Sequence, residues 1–122
     1  MRILLFTILC LSIFVSCRKD YPSDIPDWLK TRIDKCKYGK CCSSGISRVD
    51  EYINNANQNK IYKISDHNIS MASKYYYDFD GNTVCIYNSH FNINSDSCGS
   101  IKLSELKYTR NVWHVEQKKC HD

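Results

Sequence analysis

The chain has 122 residues, 17 Lys+Arg against 13 Asp+Glu, 8 Cys, 9 Tyr and only 4 Gly and 2 Pro. That length holds one domain, and 25% charged with 43% hydrophobic residues excludes a disordered tail and a polytopic membrane protein. The formal charge of +4 is modest and no basic stripe concentrates it, so no nucleic-acid partner is expected.

Residues 1–17 read MRILLFTILCLSIFVSC. Arg2 precedes an apolar run from Ile3 to Val15 broken only by Thr7 and Ser12. Thirteen helical residues rise only ~20 Å, short of the ~30 Å hydrocarbon core of a bilayer. A charged start, a short apolar centre and small residues at its end describe an export signal. Cleavage after Cys17 would place Val15 at the −3 position, giving a fully secreted product. The alternative makes Cys17 the mature N-terminus and acylates its sulfur. Phe14-Val15-Ser16-Cys17 resembles the lipobox of bacterial lipoproteins, and Ser16-Cys17-Arg18-Lys19-Asp20 is similar to the junction of small lipoproteins from Gram-negative bacteria. Phe14 stands where that family prefers Leu. The resemblance implies a signal peptide over 1–16, a lipid-anchored tether over 17–23 and a single domain over 24–122.

Cysteine counting agrees with export. Removing Cys10 with the signal and assigning Cys17 to lipid or cleavage leaves Cys36, Cys41, Cys42, Cys85, Cys98 and Cys120. An even set in a short exported chain predicts disulfides. Six thiols pair in 15 ways, and the adjacent Cys41 and Cys42 bridge to each other only with strain. Cys85 and Cys98 are expected to close the loop between them.

The first ordered element is expected over Ile25–Lys35. Asp24 would cap it, Pro26 suits its first turn, and Ile25, Trp28, Leu29, Ile33 and Cys36 share a helical face. From Ser47 the residues turn β-branched and aromatic. Arg48–Ile53 and Lys60–Ile64 read as strands around the polar turn Asn54–Asn59. Lys74–Phe79 and Thr83–Tyr87 flank Asp80-Gly81, a pair suited to tight hairpin turns. Alternation puts Tyr75, Tyr77 and Phe79 on one face and Tyr76 and Asp78 on the other. Residues 101–108 fit either a strand or a helix, and Asn111–Glu116 reads as the last strand, with Trp113 and Val115 on one side. One helix followed by a mostly antiparallel sheet of four to five strands makes a disulfide-stabilised α+β domain.

Ile25-Pro26-Asp27-Trp28-Leu29, Val49-Asp50-Glu51-Tyr52 and the segment Tyr77–Cys85 are similar to motifs of a family of small uncharacterised bacterial lipoproteins. The likeness spans residues 17–98 and departs at Ile86–Ser97, which lacks that family's glycines. It implies no activity.

Reagents for catalysis are scarce. Asp78-Phe79-Asp80-Gly81-Asn82 fails the EF-hand pattern, because loop positions 6 and 12 fall on Thr83 and Ser89 instead of Gly and Glu. His67, His90, His114 and His121 form no His-x-x-x-His pair, and no Cys-x-x-Cys occurs, so no metal site and no cofactor is expected. Acid–base cleavage of RNA could draw on His67, His90 or His114 with Lys63 or Lys102, although no sequence signature makes them converge. Tyrosine is the one enrichment, and Tyr76 with Tyr87 is expected to stand exposed as a binding face for protein or glycan. The expected protein is a non-catalytic binding or structural module of the cell envelope, attached to the membrane through acylated Cys17. A secreted binding protein or inhibitor and a small secreted nuclease-type hydrolase are the alternatives.

Overall fold

Helix α1 (Asp27–Lys37) leads into strands β1 (Ile46–Asn54), β2 (Lys60–Asp66), β3 (Ser73–Tyr77) and β4 (Thr83–Asn88). A small hairpin of β5 (Ser97–Cys98) and β6 (Ile101–Lys102) follows, then a 3-10 turn at Leu103–Glu105 and the long strand β7 (Leu106–His114). This computed structural model describes residues 21–37, 46–66, 73–88 and 95–114. The main sheet runs β4-β3-β2-β1-β7 with every described pairing antiparallel. Among the described residues the α+β expectation holds, with one helix, a five-stranded antiparallel sheet and a Cys85–Cys98 disulfide.

The helix starts two residues later than the sequence suggested. The Pro26 carbonyl accepts from the amides of Leu29 at 3.0 Å and Lys30 at 3.2 Å, so Pro26 precedes the first turn. Asp24 does not cap this helix, because its carboxylate is taken by Arg110, 2.8 Å away. Leu29 and Ile33, four residues apart and fully buried, lie with Tyr21 and Ile25 on Ile46, Val49, Tyr62, Ile64, Val112 and Trp113. Trp28 packs at the margin and donates from Nε1 to the Phe79 carbonyl at 2.8 Å, tying the helix to the β3–β4 loop.

Both hairpins use side chains to shape their turns. Asn54 accepts the Ala56 amide on Oδ1 at 3.0 Å, and Asn57 accepts the Asn59 amide at 3.0 Å. Asp80-Gly81 is not a two-residue turn. The Asp78 carboxylate gathers the amides of Asp80 and Asn82 at 3.0 and 2.9 Å into a wider loop, with Gly81 at φ +90°. That carboxyl is held below its ordinary value: slight burial works against it, but bonds from the Asn82 side chain and the loop amides prevail.

The last strand begins five residues earlier than expected, and residues 115–122 lie outside the described set. Bulges opposite Val49/Asp50 and Glu51/Tyr52 interrupt the β7 pairing, which erases the two-residue alternation that sequence reading relies on. Val112 and Trp113, neighbours in sequence, consequently enter the same core.

The second face of the sheet is partly covered as well. The β5–β6 hairpin places Cys98 and Ile101 on Ile61, Tyr76 and Cys85, with Tyr52, Val84, Tyr87, Leu103 and Leu106 around them. Tyr76 is therefore only 7% exposed. The expected exposed pair is corrected: Tyr76 is buried beneath the hairpin, and Tyr87 is half-buried against the same cluster. Burial, with Tyr52 and Tyr87 nearby, pushes the Tyr76 phenol up to about 12.

Candidate functional site

Residues directly opposite one another in a sheet share a face. On the face away from α1, Arg48 is opposite both Ser65 and His114, and Ser65 is opposite Lys74, which is opposite Tyr87. The next row runs Asn111, Asp50, Lys63, Tyr76 and Cys85, and a third joins Tyr108, Tyr52 and Ile61. The hairpin takes the Ile61–Tyr76–Cys85 corner. Outside that corner Tyr108 is 50% exposed, the Arg48 side chain is 53% exposed, and Lys74 and His114 are exposed.

Asp50 organises this surface. It is 2% exposed, and Arg48 Nε donates to its two carboxylate oxygens at 2.9 and 2.8 Å. Asn111 Nδ2 donates to Oδ1 at 3.1 Å, and Lys63 Nζ stands 3.8 Å from Oδ2. The bonds and charge of Asp50 raise the Arg48 guanidinium further, and the Tyr108 side chain contributes to the same end. Lys63 also donates to the Tyr52 hydroxyl at 3.0 Å. The Tyr52 and Tyr108 rings meet edge to face, 5.6 Å between centroids. Asn111 spends its amide hydrogens on Asp50 and on the Val49 and Trp113 carbonyls, so its Oδ1 is the acceptor for His114 Nδ1 at 3.1 Å. A buried carboxylate thus fixes two cations, an amide and, through that amide, an imidazole. The basic groups outnumber the acid, whose own oxygens are occupied.

The neighbouring carboxylate points the other way. Glu51, 1% exposed, receives Arg110 Nη2 at 2.9 Å, and Arg110 also reaches Asp24 at 2.8 Å. Lys60 Nζ lies 3.7 Å from each acid. Hydrogen bonding from Arg110 holds the Asp24 carboxyl below its usual value. Burial and Glu51 push the Tyr62 phenol well up. This network ties the approach to α1 onto β1 and β7. An open depression of about 360 Å³ lies nearby, lined by Gln58, Asn59, Lys60, Asp78, Phe79 and Asp80. Asp78 is already spent on its own loop.

Of the cysteines singled out in the sequence, Cys85 and Cys98 are brought together, their Cα atoms 5.3 Å apart. Cys36 sits near the end of α1, but its pairing, with Cys41, Cys42 and Cys120, lies outside the described residues and side chains. Cys17, the signal and the first part of the tether also lie outside them, as do His67, His90 and His121. Lys63 and His114 share the face described above, whereas Lys102 belongs to β6. Sequence reading passed over Arg48, Asp50, Tyr52, Tyr108 and Asn111. The signal available was the i, i+2, i+4 series Arg48, Asp50, Tyr52 on one strand face.

Among the described residues no three His, Cys, Asp or Glu cluster as metal ligands, and no helix is long and apolar enough to cross a membrane. Comparison with protein-family models, with curated proteins and with solved structures finds no match.

Proposed function

We propose that the chain is an exported cell-envelope lipoprotein, anchored through acylated Cys17, whose bridged α+β domain is a binding module without catalysis. Its ligand, a protein or a glycan, meets the sheet face that carries Arg48 and Tyr108. The observation that supports this most is Asp50, a buried carboxylate that holds Arg48 at both oxygens and so presents a half-exposed cation in one orientation beside a half-exposed ring. Preorganised charge and aromatic surface on a rigid sheet is what a binding site requires. Export rests on the apolar leader, the lipobox-like junction and the even cysteine set.

Backbone amide shifts of the labelled mature protein, followed during titration with envelope glycans and peptides, test the binding part. Shifts clustered at residues 48, 63, 74, 108, 111 and 114 support it. Shifts confined to the α1 side, or none with any envelope fraction, refute it.

A nuclease-type reading is favoured by one fact: Lys63 and His114 flank Arg48 on one face. RNA cleavage lost on His114→Ala, retained by Lys102→Ala and absent from a mock preparation would establish it. An unchanged RNA substrate would dismiss it.

A further inference from the structure

The row Lys74, Ser65, Arg48, His114 runs across β3, β2, β1 and β7, perpendicular to the strands. Neighbouring strands lie ~4.8 Å apart, so Lys74 and Arg48 are separated by about 10 Å along that line. Lys63 stands in the adjacent row. The one acid sharing these rows among the described residues is Asp50, which is buried and bonded by Arg48. Among the described residues, the part of the face left open is therefore cationic, with hydroxyl, amide and imidazole groups set between its charges.

We propose that this face binds an acidic glycan, a linear chain bearing sugar carboxylates, laid across the strands with one sugar ring against Tyr108; this rests on the reading of the face as the binding surface. Arg48 is gripped through Nε while about half of its side chain stays exposed, so its guanidinium is open to a further carboxylate. Lys74 reaches a second carboxylate further along the chain. Tyr108, half-exposed and in edge-to-face contact with Tyr52, offers apolar ring surface to the hydrogen-bearing face of a pyranose. Ser65 and His114 have the mixed donor and acceptor capacity that sugar hydroxyls need, whereas the Asn111 amide is spent within the face and serves to hold His114. Two other polyanions fit less well. Single-stranded nucleic acid is held by several successive stacking rings, and among the described rings of this face Tyr52 and Tyr87 are packed against the hairpin cluster, leaving Tyr108 as the most exposed. An extended acidic peptide gains its main-chain bonds at a sheet edge, whereas these groups project from the face.

The test uses the full mature chain in detergent micelles, titrated calorimetrically with oligogalacturonate. Maltooligosaccharide, poly-glutamate and single-stranded RNA of matched length are the comparison probes. Lys74→Glu and Tyr108→Ala change exposed side chains, and their melting curves report whether the fold survives. The expected result is saturable binding of oligogalacturonate, weakened about tenfold or more by each change, roughly 1.4 kcal/mol, and no binding of maltooligosaccharide. Equal binding of the neutral sugar overturns the carboxylate requirement. Poly-glutamate or RNA binding better than oligogalacturonate, with loss on Lys74→Glu, overturns the glycan and leaves the face as the site. Binding indifferent to both changes, or absent with every probe, overturns the glycan and the face together.

Discussion

Arg110→Met is the most informative single change to the scaffold. It removes the guanidinium that lies 2.9 Å from Glu51, a carboxylate 1% exposed on the core side of β1. Stripping one partner from a buried ion pair costs ~3–5 kcal/mol, because the other charge stays buried without its counter-ion. Two features place this case at the low end. Lys60 remains 3.7 Å from the same oxygen, and the Arg110 side chain is itself one-third exposed. The lost Asp24 contact adds little, since that carboxylate is mostly in solvent. The expected loss is therefore about 3 kcal/mol in urea unfolding, with Tm falling by roughly 4–8 °C per kcal/mol. The companion double change Glu51→Leu with Arg110→Met removes the stranded charge, and should recover about 2 kcal/mol of that loss. A single change costing under about 1 kcal/mol, or a double variant less stable than the single, would show that the network does not hold the α1 approach to the sheet.

Three further outcomes follow from the same packing. Replacing Cys85 and Cys98 by Ser opens a loop of sequence separation 13 and should cost about 3 kcal/mol by the chain-entropy argument, read as a lowered urea midpoint. An unchanged midpoint would mean that the β5–β6 hairpin stays docked without its tether. Gly99→Ala should destabilise by more than about 1 kcal/mol, because Gly99 has φ +57° and a Cβ there would collide with the Val84 carbonyl oxygen; wild-type stability of that variant would contradict it. Acid should weaken the fold through Asp24, Asp78 and Asp96, whose carboxyls are held low by Arg110, by the Asn82 side chain and loop amides against slight burial, and by Ser104. Their folded values lie below the unfolded one, so their contribution is present above about pH 4 and is lost as pH falls through the folded values. Urea midpoints between about pH 5 and 2 should fall, and less steeply for Asp24→Asn; a midpoint that rises on acidification contradicts the sign.

The elements most legible in the sequence were those whose signals are local. Leu29 and Ile33 at helical spacing, the asparagine-rich turn at Asn54–Asn59 and the β-branched runs of β1 and β2 all fall where their neighbours place them. Features set by distant partners were less legible. Asp24 has the identity of a cap but is claimed by Arg110, 86 residues away. The start of β7 is masked by two bulges that only the partner strand reveals. Tyr76 alternates as a surface residue would on a one-sided sheet, and is buried because the β5–β6 hairpin further along the chain folds over it. The candidate site follows the same rule. Arg48, Asp50 and Tyr52 could be aligned from sequence, but Asn111, Tyr108 and His114 reach them only through the β1–β7 pairing.

The intact mass of unreduced protein taken from the cell envelope tests the central claim most directly. The account predicts a chain beginning at Cys17, carrying a glyceride-linked acyl adduct, and accepting no thiol reagent after denaturation. A soluble product that retains Met1 and titrates with several free thiols would contradict it.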